Sequence, residues 1–251
     1  MIREAIEKIL SLSKHTAPIQ TVEINEMTYT SAELTRISKP LISNIEVHNL
    51  SGIIEYLKSD FDAKLPVIIH VISPTEVHVL TGLNGDLNRS TLIKATALLP
   101  RIKFNEYYDL ESFNILLQSC FVPGVPFDVE NLQVMPNDRE IVLKLVGNVK
   151  DEQVLSFGDD GISQQVMARS GVATVEPVAV PNPVHLKPFR TFVEIEQPLS
   201  AFVLRMQKGP TAALFEADGG SWKVVAISEI KSYIHSQLQN RIEAGEVVIV
   251  G

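Results

Sequence analysis

The chain has one cysteine, Cys120, among 251 residues. That excludes an intramolecular disulfide framework and any multi-cysteine zinc site, and it suits a reducing compartment. No apolar run approaches the roughly 20 residues that span a bilayer. The N-terminal stretch MIREAIEKILSLSKH alternates charge with apolar residues, which excludes a secretory signal. A positive excess is also missing. Thirty acidic residues against 22 basic give a formal charge of −8, the wrong sign for a protein that coats duplex DNA by its bulk field. Neither GxGxxG nor GxxxxGK[ST] occurs, no serine sits in GxSxG, and no repeat or low-complexity segment is found. What remains is 45% hydrophobic and 21% charged, a globular chain long enough to bury a real core, as one large domain or two modest ones.

Periodicity supplies the elements. Ile2, Ala5, Ile6, Ile9 and Leu10 share one face of an opening helix. Residues 21–24 and 27–30, broken by Asn25 and Glu26, read as a hairpin. Asn49 is a candidate N-cap for a helix whose apolar face is Leu50, Ile53, Ile54 and Leu57. Residues 67–72 and 77–80 flank the turn cluster Ser73-Pro-Thr-Glu76, and 91–98 adds a third strand. Asp109 caps a helix carrying Leu110, Phe113, Leu117 and Phe121. The spacing of Ile141, Val142, Leu145 and Val146 suits a short helix over 138–148, while β-branching leaves a strand open.

From about residue 150 the pattern turns to strand-length runs: 154–157, 162–169, 172–180, 189–195, 201–206, 212–216 and 222–227. Turn residues separate them, as in Asp159-Asp-Gly161 and Asp218-Gly-Gly220. Ser228 then caps a last helix with Ile230, Tyr233, Ile234, Leu238 and Ile242 inward. Gly245 stops it, and 246–250 closes as a strand. The expected class is α+β: an N-terminal mixed α/β half, 1–150, and a C-terminal mainly antiparallel sheet, 151–251, on which the last helix packs. One continuous domain is the alternative. Five prolines between Glu176 and Pro198 place that stretch at an edge or in a crossing between the halves. Such a strap also invites exchange between subunits.

Several groups have the chemistry for a site. Asp159, Asp160, Glu216 and Asp218 could serve a divalent metal in a hydrolase, but adjacent Asp and Gly are first of all turn residues. A two- or four-residue loop would set His70 and His78 on opposite faces, whereas a three-residue loop would align them; the pair is read as solvent-facing. Cys120 lies on an apolar helical stripe and is read as core. Arg190, Arg205 and Lys208 form the basic group of most interest. Both arginines fall in predicted strands among apolar neighbours. Each is expected either to pair with a nearby acid, such as Glu194 or Glu216, or to face an anionic ligand. Trp222 is the sole tryptophan, set to pack on the core or stack on a ligand base. Arg190, Arg205, Lys208 and Trp222 are the candidate ligand-binding residues. No catalytic residue, metal or cofactor is expected.

The segments His70-Val-Ile-Ser-Pro-Thr-Glu-Val77, Gly147-Asn-Val-Lys-Asp-Glu152, Val180-Pro-Asn-Pro-Val184, Pro188-Phe-Arg-Thr-Phe192 and Ala213-Leu-Phe-Glu-Ala-Asp-Gly-Gly220 carry a resemblance. In them the chain resembles an uncharacterised family of temperate-bacteriophage and prophage proteins. The resemblance implies a phage origin, action in the host cytoplasm and a non-virion accessory role; it carries over no catalytic residue. Together the readings give a non-enzymatic, homo-oligomeric accessory protein. It would bind a nucleotide-like anion or a host defence protein to counter antiviral defence, without touching membrane or duplex DNA. The alternative is an early-region accessory of DNA transactions that binds single strands or a recombination enzyme.

Overall fold

A computed structural model describes residues 2–12, 21–24, 27–30, 43–59, 65–84, 87–124, 137–149, 164–170, 174–207, 209 and 211–251. The protein is α+β, and its chain divides into two compact units, Met1–Leu41 and Ile42–Gly251. The first unit holds helix α1 (Ile2–Leu12) and the hairpin of β1 (Thr21–Ile24) and β2 (Met27–Thr30), both where the sequence places them.

The second unit runs β3 (Ile45–Val47), α2 (Leu50–Ser59), β4 (Val67–Ser73), β5 (Glu76–Thr81), β6 (Thr91–Thr96), β7 (Tyr108–Asp109) and α3 (Leu110–Cys120). There follow α4 (Arg139–Asn148), β8 (Gln164–Ser170), β9 (Thr174–Val180), β10 (Val184–Leu186), β11 (Ser200–Gln207), β12 (Thr211–Glu216), α5 (Ser221–Glu243) and β13 (Val247–Val250). A five-stranded mixed sheet has the order β13-β4-β5-β6-β3, and a four-stranded antiparallel sheet the order β10-β11-β12-β7. Strands β8 and β9 make a separate two-stranded ribbon. The change of character near residue 150 does not part the two larger sheets: β13 joins β4 in one, and β7 joins β12 in the other.

Each sheet builds its own core by alternation. On the mixed sheet, Val67, Ile69, Val71, Val77 and Val79 point to one face, where α2 supplies Leu50, Ile53 and Leu57, and α5 supplies Ile230, Ile234 and Leu238. On the antiparallel sheet, Phe202, Leu204 and Met206 point to α3 and α4, which bring Phe113, Leu117, Val142 and Val146. The last helix therefore packs on the mixed sheet, against β4 and β13. The proline-rich stretch runs from one core to the other: Leu186 is buried in the second core, and Phe192 and Ile195 in the first.

Three readings change. The predicted strand 189–195 is irregular backbone. Its alternating aromatic pattern mimics a strand, but the buried Gln197 side chain gathers it into a turn. That amide accepts from the Arg190 and Thr191 amides (3.0 and 3.3 Å) and donates to the Phe192 carbonyl (3.1 Å). The predicted strand 222–227 is the start of α5, which begins at Ser221, well before Ser228. Gly219 and Gly220 have φ of 62° and 81°, a left-handed turn that launches the helix and that other residues adopt only with strain. The β-branched Val224 and Val225 that follow read as strand, yet both stay exposed on a helix whose buried positions are Ala226, Ile230, Ile234 and Leu238. Finally, the Pro74-Thr75 turn is two residues long, yet His70 lies opposite His78. A bulge between Val71 and Ser73 inserts Ile72 and restores the alignment. The predicted strand 154–157 lies outside the described residues.

Candidate ligand site at Arg190 and Trp222

Of the four candidate residues, the structure brings two together. The Arg190 guanidinium lies 3.9 Å from the centroid of the Trp222 ring and 5.7 Å from that of Phe202. Trp222 reaches it from the first turn of α5, Phe202 from β11. Arg190 Nη1 donates to Glu216 Oε1 (2.9 Å), Nη2 donates to Ser200 Oγ, and Asp218 Oδ2 stands 3.7 Å from Nη2. With 6% of its surface exposed, this is a cation held inside the protein. Burial lowers its pKa to about 10, while Asp218 and Glu216 work against that shift, so it stays charged at neutral pH.

The pairing identifies which acid Arg190 takes. Glu216 serves it, at the end of β12 beside Phe202 in the register. Glu194, the other acid the sequence offers, turns away and caps α2 instead. Its Oε1 accepts from the Leu50 amide (2.7 Å), the Ser51 amide (3.2 Å) and the Ser51 hydroxyl (3.2 Å). Asp218 divides itself in the same economical way, with Oδ1 accepting from the Gly220 amide at 2.9 Å to close the turn before α5. Glu216 and Asp218 thus surround an internal cation. Asp159 and Asp160 lie outside the described residues, and among the described residues no group of three or more His, Cys, Asp or Glu side chains is placed to hold a metal ion.

Arg205 does not join Arg190. In β11 the buried positions are Ser200, Phe202, Leu204 and Met206, and Arg190 meets the first two; Arg205 alternates onto the opposite face. Lys208 lies outside the described residues. Cys120 is buried on α3, as its stripe implies.

A second polar group lies on the face of the mixed sheet opposite α2 and α5, which no described helix covers. Lys94 pairs with His78 in register, and His78 with His70, forming a row across β6, β5 and β4. Glu76 Oε1 takes contacts from Lys94 Nζ (3.0 Å) and His78 Nε2 (2.9 Å). Those hydrogen bonds, Lys94 first, hold the Glu76 carboxyl below its ordinary value of 4.5. Ile68 and Leu80 share this face by alternation, with the exposed Val248 and Val250 of β13 beside them.

Other buried or half-buried polar side chains, which composition gave no reason to single out, complete backbone hydrogen bonding. Arg139, at the start of α4, donates to the Leu117 and Gln118 carbonyls at the end of α3 (2.8 and 3.1 Å). Beyond the end of β10, Asn182 binds the amide and carbonyl of Leu204 (2.8 and 3.2 Å). Gln164 does the same for Met206 (3.0 and 2.6 Å). Two side-chain amides stand where a strand would. No family model, curated protein or solved structure matches this chain.

Proposed function

We propose that this chain is a non-enzymatic accessory protein of a temperate bacteriophage that binds a host protein in the host cytoplasm and so counters an antiviral defence. The phage setting rests on the sequence resemblance. The binding mode rests on one observation: helices cover one face of the mixed sheet, while the other, which no described helix covers, carries Ile68, Leu80 and Val248 interleaved with His70, His78 and Lys94. Apolar patches broken by a few polar groups are the composition of protein-contact surfaces. Arg190 favours the protein partner over a nucleotide-like anion, because its guanidinium already faces an indole, two carboxylates and a hydroxyl.

The test is plaque formation on a defended bacterial host that expresses the chain. The expected result is restored plaquing, lost in His70→Glu, which places a charge in the row of His70, His78 and Lys94 on that face. Purified His70→Glu protein should keep the wild-type circular dichroism spectrum. Wild-type protection by a folded His70→Glu variant, or turnover of a substrate by the purified chain, would contradict the reading.

A further inference from the structure

The two larger sheets have four edges, and three are blunted. Strand β7 is two residues long and ends in Asp109. Strand β3 has three residues with Glu46, exposed, at its centre. Strand β10 has three, follows Pro181 and Pro183, and gives way along β11 to the Asn182 and Gln164 amides. These are the devices by which proteins keep strand edges from pairing with other chains.

Strand β13 has none of them. It is Val-Val-Ile-Val, four residues without charge or proline, at the edge of the five-stranded sheet. The Glu246 carbonyl accepts the Val67 amide at 2.9 Å, so residue 246 faces β4. Parallel strands alternate in the direction of their backbone groups. Val248 therefore faces β4 as well, and Val247 and Ile249 turn their amides and carbonyls outward, where no described strand pairs with them. On the face away from α5, Val248 and Val250 are 49% and 40% exposed.

We infer that β13 pairs with β13 of a second copy of this chain, antiparallel about a two-fold axis, joining two mixed sheets into one. In that register Val247 exchanges both backbone hydrogen bonds with the other copy's residue 249, and Val248 meets its own counterpart in the close, non-hydrogen-bonded position. An uncharged strand meets itself without like-charge repulsion. The ends are complementary as well. Lys231 Nζ donates to the Gly251 carbonyl (3.0 Å) and puts a cation at the far end of β13, while Glu246 and the exposed Glu243 stand at the near end beside Arg241. Antiparallel pairing brings the lysine end of each copy to the acidic end of the other, which favours a second copy over an unrelated strand.

Sedimentation velocity on the full chain over a concentration series tests this. The expected result is a concentration-dependent dimer. Val248→Lys, which sets like charges opposite each other on the axis at an exposed position, should weaken it roughly tenfold or more. Ile249→Pro removes an outward amide while leaving the bonds to β4, and should also give monomer. A wild-type monomer throughout, or a dimer unchanged in Val248→Lys, would overturn the inference. Hydrogen exchange on the wild type removes any dependence on the variants folding: amides of 247 and 249 should gain protection with concentration, and concentration-independent exchange there would equally overturn it. The readout is indifferent to the phage reading, because sedimentation and exchange need neither host nor defence, so the two proposals fail separately.

Discussion

Glu76 and Asp109 each hold a carboxylate by hydrogen bonds, at different kinds of place. Glu76 serves Lys94 and His78 across three strands, and Asp109 caps α3 by accepting from the Ser112 amide at 2.8 Å. Both lie below their ordinary values, 4.5 and 3.8, chiefly through hydrogen bonds from Lys94 and Ser112 respectively. A depressed folded value means that the stabilisation is complete above the ordinary value and disappears as pH falls through the folded one. Acid therefore weakens the fold below about pH 4.5. Both groups meet solvent, so the slope is shallow. Melting temperature against pH should lose part of its acid limb in Glu76→Gln and Asp109→Asn; profiles parallel to the wild type would contradict the assignment. The Asp109 cap was legible, because an acid before an apolar stripe has a local meaning. The Glu194 cap on α2 was not, since it comes from 144 residues away. Asn49, which was legible, shares that helix start through the Gly52 amide (2.9 Å).

At the scale of elements, the open stretch of β11 beyond β10 shows how polar side chains replace a strand. Met206 has its amide and carbonyl both satisfied by Gln164, which is 5% exposed. Gln164→Ala leaves both groups buried and unpaired. It should cost about 1–3 kcal/mol in urea unfolding, and a change within error would show that the edge is satisfied otherwise. Local patterning predicted most elements because alternation and capping are written in neighbouring residues. It failed where a specific side chain or turn outweighed the alternation. Gln197 folds 190–192 into a turn despite its strand-like pattern, and the Gly219-Gly220 turn starts α5 early. The bulge at Ile72 aligns His70 with His78, a one-residue effect that turn length alone cannot foretell.

At the scale of the whole second unit, two cores must be held together, and the segment from Lys187 to Leu199 does so. It buries Phe192 and Ile195 against the mixed sheet, bonds the Thr191 hydroxyl to the Pro74 carbonyl (2.5 Å) and caps α2 with Glu194. Arg190 sits within it, between Glu216 of the antiparallel sheet and Trp222 of the helix that covers the mixed one. The sequence marked Arg190, Glu216, Asp218 and Trp222 as chemistry-bearing, and read the proline-rich stretch as an edge or a crossing between halves. It could not distinguish a ligand pocket from an internal joint, because both use a half-apolar arginine near carboxylates. Only the partners around the guanidinium separate them.

The most direct test of this joint is equilibrium unfolding of Arg190→Ala, followed by the fluorescence of Trp222, the only tryptophan. Removing a buried cation strands Glu216 and Asp218, so the variant should lose about 3 kcal/mol, the lower end for a broken buried pair because Glu216 is partly exposed. Its native emission should shift as the indole loses the guanidinium beside it. A variant with wild-type stability and emission would contradict the account and return Arg190 to the role of a ligand-binding residue.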